Sequence, residues 1–440
     1  MYSNKHIAKV SYPILLSLLA QNIIQVTDTA FLGRVGEVEL GASALAGIIY
    51  IAIYTLGFGF GMGSQIMIGR RNGEGNHSKI GEIVIQGAIF LLISAILLIP
   101  LLRHAATHWL PALFESQYVA TAVSDYLDWR FFGLIFAFTN VMFKAFYIGI
   151  ARTKVLILNS LIMTLTNVVF NYALIFGQFG FPELGIKGAG IASVIAEASS
   201  TLFFVLYTKK NIRLEKYGFT AIRLQWLVIK RILSISIFMM MQYFTSLVTW
   251  MIFFLLIENN MGERSLAVTN IVRSLYVILI MPSQALGAVT NTLVSNMIGE
   301  GKKEEVMGLI KRISLISGAV MLGVVLFSSL FASALLRIYT GDLSLISETL
   351  TPLYVLISFL PMYGVGTIWL NSVSGSGNTR TMFAFEMITI VFYMAYAWFI
   401  IVHLGASVAM AWTTEHVYWF FLASLSFLYM RSGKWKNKQI

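Results

Sequence analysis

Residues 10–36 read VSYPILLSLLAQNIIQVTDTAFLGRVG, and Asp28 is the only carboxylate among them. The apolar part, 10–32, is long enough to cross a bilayer as a helix, which takes about 20 residues. A carboxylate at that depth is costly unless it is protonated, bound to a cation or facing water, and chains keep such groups mainly where ions bind or are relayed. On one α-helix Gln21, Gln25 and Asp28 fall at i, i+4 and i+7, forming a single polar stripe flanked by Asn22 and Thr29. Such a stripe is expected to face a cavity rather than lipid.

The rest of the chain agrees with a membrane reading. Of its 440 residues 58% are hydrophobic and 12% charged, with a mean hydropathy of +0.78; a soluble domain carries about 25% charged residues. Lys+Arg number 31 against 20 Asp+Glu, a net charge of +11. The placement of these charges in loops assigns the excess to the positive-inside rule, not to nucleic acid. Cysteine is absent, so disulfides and thiolate metal sites are excluded. Met1 to Lys9 is short and polar, and no small-residue cleavage motif follows, so the first span is expected to stay in the protein.

Apolar stretches recur at 10–32, 40–68, 81–102, 119–148, 156–176, 185–208, 229–257, 264–298, 308–332, 349–372, 381–404 and 407–430, about twelve helices in all. Basic residues concentrate on alternate connections: Lys5 and Lys9, Arg70, Arg71 and Lys79, Lys144, Arg152 and Lys154, the stretch 209–231, Lys302 to Arg312, and the tail from Arg431. The other connections carry about one each, at Arg34, Arg103, Lys187, Arg264 and Arg337. Both termini are therefore expected in the cytoplasm. The polar stretch 209–228 divides an N-terminal half, 1–208, from a C-terminal half, 229–440. The halves repeat: Gly36-Glu37 matches Gly262-Glu263, Met67-Ile68-Gly69 matches Met297-Ile298-Gly299, and Thr153-Lys154 matches Thr379-Arg380. Six spans in each half make these parallel repeats about an axis along the membrane normal, an arrangement used for alternating access.

Asn167 and Asn171 share one face of span five, and Ser193 and Glu197 one face of span six. With Asp28 they offer oxygen ligands for Na⁺ or a proton relay; the competing account is interhelical hydrogen bonding that holds the bundle together. Span seven carries Gln242 and no mid-membrane acid, and span ten carries Trp369 and Asn371. Glu386 reads as a solvated end group near Arg380, and Glu415 as a deeper, ambiguous acid. Arg273 in span eight is expected to form a structural ion pair with one of the two. In Gly57-Phe58-Gly59-Phe60-Gly61-Met62-Gly63 the alternate glycines do not line one helix face. They are expected to permit bending, with Phe60 and Met62 lining a cavity. Aromatic residues (14%) and 20 Met would suit varied flat cations, although lipid-facing packing explains most of them. No phosphate-binding lysine motif, metal-ligand cluster or nucleophile elbow is present, so no catalytic residue is assigned and an enzyme is not expected.

Several motifs resemble the multidrug and toxic compound extrusion (MATE) family of secondary transporters. They are Pro13, the run Asp28-Thr29-x-Phe31-x-Gly33-x-x-Gly36, Gln65-x-x-x-Gly69, Asn167-x-x-x-Asn171 followed by Phe176-Gly177, Phe181-Pro182-Glu183-Leu184-Gly185-Ile186-x-Gly188-Ala189, and Gly375-x-Gly377-Asn378-Thr379. The likeness covers essentially the whole chain. It implies an all-α membrane fold of two six-helix lobes around a central cleft, exporting organic cations against Na⁺ or H⁺. It also implies that Asp28 is the coupling residue, with polar partners at Asn167 and Asn171. One branch of the family has acids in the middle of helices seven and ten. Here Gln242 stands near the first place and no acid at the second, which resembles the DNA-damage-inducible protein F-like branch, with coupling in the N-terminal lobe. Some members have a second acid where this chain has Asn171, and the amide lowers the local negative charge.

Together these readings give an antiporter of amphipathic organic cations in a bacterial inner membrane, monomeric, with no cofactor beyond the coupling ion. Ion or proton coupling is assigned to Asp28, Asn167, Asn171 and Ser193, with Na⁺ at Asp28, Asn167 and Asn171 as the alternative to H⁺. Substrate contacts are assigned to Gln21, Gln25, Asp28, Phe60, Met62, Gln242 and Trp369. A flippase for a lipid-linked saccharide is the second reading; it calls for a basic cleft, and only Arg130 and Arg273 stand apart from the basic loops. A membrane-embedded enzyme or a receptor is the third, without a paired catalytic set to support it.

Overall fold

Gly36 and Gly262, paired in the sequence repeat, end equivalent helices. α1 (Asn4–Val35) stops at Gly36 and α2 (Glu37–Gly73) begins at the next residue; a continuous run, Trp226–Leu279, is broken at Gly262, where φ is 81°. That backbone conformation favours glycine because a Cβ would clash there. The computed structural model describes residues 2–114, 116–219 and 223–438; 220–222, part of the expected connection 209–228, lie outside the described residues. Between α2 and the break follow α3 (Ser78–His108), α4 in two halves (Gln117–Arg130 and Gly133–Gly149, bent by 51°), α5 (Val155–Ile175), α6 (Gly185–Asn211) and α7 (226–261). After it come α8 (263–279 continuing into Met281–Gly299), α9 (Val306–Leu330), α10 (Leu343–Gly375), α11 (Thr379–Trp398) and α12 (Thr414–Arg431).

Among the described residues nine helices are long and apolar enough to span a membrane, counting 226–279 once, and ten with the bent α4. Dividing 226–279 at Gly262 and adding the shorter α12 gives the twelve elements of an all-α, two-times-six fold. α2, with 37 residues, is about 55 Å long and overreaches a hydrocarbon core of about 30 Å. The other repeat pairs also fall at matching places: Met67 and Met297 near the buried ends of α2 and α8, Thr153 and Thr379 at the starts of α5 and α11.

The chain divides into two packed units, one of Leu16–Met240 and the other of the segment up to Leu15 together with everything from Met241. The boundaries fall inside α1 and α7, whereas composition placed them at 208 and 229. The polar stretch marks the middle of the chain, but packing crosses it. The first turns of α7 belong with α2, where Ser236 Oγ donates to the Phe60 carbonyl at 3.0 Å. The start of the chain belongs with the second unit, where the Tyr2 hydroxyl donates to Glu300 and the Arg312 guanidinium to the Tyr2 carbonyl, both at 2.9 Å.

The glycine run of α2 is a pair of packing seams, which corrects its reading as a bend. A Cβ at Gly57 or Gly61 would collide with Phe138 or Val141 of α4, and one at Gly59 or Gly63 with Met240 or Ser236 of α7. Glycines two apart alternate between two neighbours, and those four apart face the same one. The helix continues unbroken through them. Phe60 between them is wholly buried and stacked on Phe90 at 5.0 Å, so its ring fills the core instead of lining a cavity; Met62 retains 9% exposure.

Candidate functional site: a carboxylate among asparagines

Three helices of the first unit bring the Asp28 site together. α1 carries Asp28, and α5 carries Asn167 and Asn171 one turn apart, held against α6 by the close approach of Gly188 to the Leu174 carbonyl. Any side chain at 188 would push the two helices apart. The Asn171 amide donates to Asp28 Oδ1 and, at 3.0 Å, to Asn167 Oδ1. Asn171 is fully buried and Asn167 nearly so. The Asn167 amide also acts on the Asp28 carboxylate, yet Asn171 Oδ1 has no hydrogen-bond partner among the described residues. Buried polar atoms of that kind are costly, and each calls for an explanation such as an ion, a water or a second protonation state. Ser193 on α6 is buried beside the Tyr126 hydroxyl of α4, and Tyr126 in turn is close enough to feel the charge of Asp28.

A second set of charges completes the unit. Arg130, at the bend of α4, donates two bonds to Glu197 of α6, at 2.9 and 2.7 Å. The Tyr50 hydroxyl adds a third bond to the same carboxylate at 3.2 Å, and the guanidinium lies 3.6 Å from the centre of the Tyr50 ring. Asn140 and Thr201 hold the Glu197 carbonyl, each at 3.0 Å. Gly133 at the bend leaves room for the pair, since a Cβ there would meet both Arg130 and Glu197. A bidentate, aromatic-capped ion pair of this kind is a fixed one. Sequence reading noted Arg130 and Glu197 separately and offered Glu197 as an oxygen ligand. Their opposite charges in neighbouring spans were the signal that joins them. Glu197 is thus committed to Arg130, while Asp28 feels the Arg130 charge from beyond ion-pair distance and keeps its carboxylate for another partner.

The polar stripe of α1 divides by exposure. Gln21 is half-buried and donates to Ser17 Oγ at 3.5 Å, whereas Gln25 and Thr29 are exposed. In the second unit Gln242 of α7 is buried with its amide directed at Glu386, and Trp369 of α10 is buried edge-on to Phe427 at 4.9 Å. Two expectations are corrected there. Glu386 is completely buried, not a solvated end group, because α11 turns it toward Ser246, Gln242 and Tyr418. Arg273 forms no ion pair with Glu386 or Glu415; it is exposed and lies over the Phe254 ring at 5.6 Å. No cluster of three or more His, Cys, Asp or Glu side chains able to hold a metal occurs among the described residues.

Comparison with known proteins matches this architecture twice over. The family model described as MatE matches residues 13–173 and again residues 235–399, one match for each sequence repeat. The chain belongs to the MatE family. A probable multidrug resistance protein NorM of Thermotoga maritima is 23% identical over 99% of this chain and 94% of its own length. A protein of the same name from Neisseria meningitidis serogroup A is 27% identical over 80% of this chain and 77% of its own. Among solved structures, a MOP superfamily transporter from Pyrococcus furiosus superposes with a TM-score of 0.90 at 17% identity, covering 98% of this chain and 95% of that one. An outward-facing multidrug resistance MATE family transporter gives 0.90 at 18%, covering 99% and 97%. The MatE chain is thus a multi-pass membrane transporter, not an enzyme.

Proposed function

We propose that this MatE protein is a secondary active multidrug exporter that antiports amphipathic organic cations against protons, with Asp28 as the coupling group. The observation that carries this reading is the buried Asn171 amide, whose Nδ2 donates to Asp28 while its Oδ1 has no partner among the described residues. Exchanging the oxygen and nitrogen of the Asn171 amide would let a protonated Asp28 donate to Oδ1, so the site can serve either charge state. Protons are favoured over Na⁺ because a monovalent metal ion wants several hard oxygen donors, and the Asp28 site offers one carboxylate among amides. The multidrug resistance names of the Thermotoga and Neisseria relatives support the substrate class. Gln21 and Gln25 continue the Asp28 face toward the cargo, with Ser193 as a nearby polar partner.

A bacterial inner membrane with both termini cytoplasmic is the location that the basic loops and the bacterial relatives support, and a monomer is the proposed state. The absence of acids in the middle of α7 and α10 favours coupling in the first unit, as in the DNA-damage-inducible protein F-like branch. A lipid-linked saccharide flippase is the weaker reading: Arg130, the deep cation it would need for pyrophosphate, is occupied by Glu197. Drug transport in inside-out vesicles with separately imposed pH and Na⁺ gradients tests the proposal. Uptake driven by the pH gradient alone is expected; strict Na⁺ dependence at constant pH, without drug-induced proton release, overturns proton coupling.

A further inference from the structure

We propose that Glu386 in the second unit is a proton-binding site in its own right, switching between a carboxylate and a neutral acid that donates to Gln242. Glu386 Oε1 accepts from Ser246 Oγ of α7 at 2.7 Å and from the Tyr418 hydroxyl of α12; Oε2 accepts from Gln242 Nε2 of α7 at 3.4 Å. Every partner is neutral, and among the described residues no Lys, Arg or His acts on this side chain. A wholly buried carboxylate without a counter-cation is expensive. The second observation is independent of that cost: Gln242 is 7% exposed, points its amide at Glu386 and leaves Oε1 with no partner among the described residues.

One proton accounts for both facts. Placed on Glu386 Oε2, with the Gln242 amide turned by half a rotation, it forms an O–H to Oε1 hydrogen bond in place of the long contact from Nε2. When the proton leaves, the amide turns back and the carboxylate again accepts from Ser246, Tyr418 and Gln242. Two other ionisable groups act on this pocket, Tyr243 of α7 and Tyr418 of α12; Tyr393 of α11 lies edge-on to Tyr418 at 5.7 Å and faces Glu415 of α12, the neighbouring acid. Glu415 accepts from the Tyr276 hydroxyl at 3.2 Å and likewise has no cationic partner among the described residues. Tyr418 lies near enough to sense both acids. Na⁺ is the poorer occupant because the hydroxyls already direct their hydrogens at Glu386 Oε1. The part of this site in transport rests on proton-coupled antiport; its titration does not.

Infrared difference spectroscopy on the full-length protein in lipid nanodiscs, stepped through pH, tests the proposal. Labelling with ¹³C-glutamate separates glutamate bands from Asp28. The wild type is expected to show a label-sensitive C=O stretch of a protonated acid that disappears as pH rises. Asp28→Asn should retain the band and Glu386→Gln should lose it. Tyr418→Phe, which removes one donor to Oε1, should shift its frequency, and this variant serves as the test if Glu386→Gln does not fold. No such band at any pH, a band unaffected by both Glu386→Gln and Tyr418→Phe, or its loss when NaCl replaces choline chloride at fixed pH would overturn the assignment. Failure of the Asp28 coupling reading would leave the band in place, so the two outcomes are separable.

Discussion

At the scale of single residues, the distinction that matters is between Asp28 and Glu197. Both are carboxylates in the first unit, but Glu197 is bound by Arg130 and Tyr50 whereas Asp28 is met, among the described residues, by the neutral amides of Asn171 and Asn167. Replacing each should therefore fail differently. Asp28→Asn is expected to abolish coupled efflux at matched expression while the protein inserts and folds, because the amide preserves shape but cannot ionise; drug resistance and pH-driven transport at wild-type level would refute the assignment. Glu197→Gln instead leaves a buried guanidinium unpaired, and thermal unfolding in detergent should show a loss of about 3–5 kcal/mol, mostly recovered in the double variant Arg130→Met, Glu197→Met. Asn171→Asp adds the second acid that Na⁺ coordination needs, and should raise the Na⁺ sensitivity of transport; unchanged ion dependence in vesicles would argue against the site. Asp28 was legible in the sequence because a lone charge in an apolar run is visible without a structure. The Arg130–Glu197 pair was less so, since its partners stand 67 residues apart and a bend between the halves of α4 brings the guanidinium into place.

At the scale of helices, spacing along one chain is read easily and the neighbour that a face meets is not. Twelve spans, the repeat and its breaks at Gly36 and Gly262 followed from hydropathy and matched dipeptides. The double seam of α2 did not, because two interleaved i, i+4 rows look like a single irregular pattern until α4 and α7 are placed on either side. Glu386 was misjudged for the same reason: proximity to Arg380 in sequence says nothing about the rotation of α11, which turns the acid inward. The seams are testable. Gly61→Val and Gly63→Val should each cost about 1–3 kcal/mol through over-packing, read as lower thermal stability in fluorescence-detected size exclusion. Gly47→Ala, where a Cβ meets nothing within 4 Å, should be neutral or slightly stabilising, since alanine is the better helix former. Equal behaviour of all three variants would remove the packing account and return the run to its reading as a bend.

For the molecule as a whole, antiport requires that the two cargoes bias the same equilibrium in opposite directions. One acid shared between proton and drug does this without long-range communication. An ionised Asp28 attracts a cationic drug, and a protonated one removes that attraction while allowing the surrounding helices to close over a neutral group. The sign follows: drug affinity should be highest where Asp28 is ionised and fall as pH drops through its titration, by about tenfold per pH unit when a single proton competes. A separate drug site in the second unit, near Gln242 and Trp369, would be linked to Asp28 only through conformation and would not impose that slope. Binding titrations of one fluorescent organic cation across pH, in wild type and Asp28→Asn, separate the two arrangements. Competition that vanishes in the variant supports the shared site. Drug affinity independent of pH in the wild type would rule it out and move the cargo to the second unit, where pH would then act through Glu386.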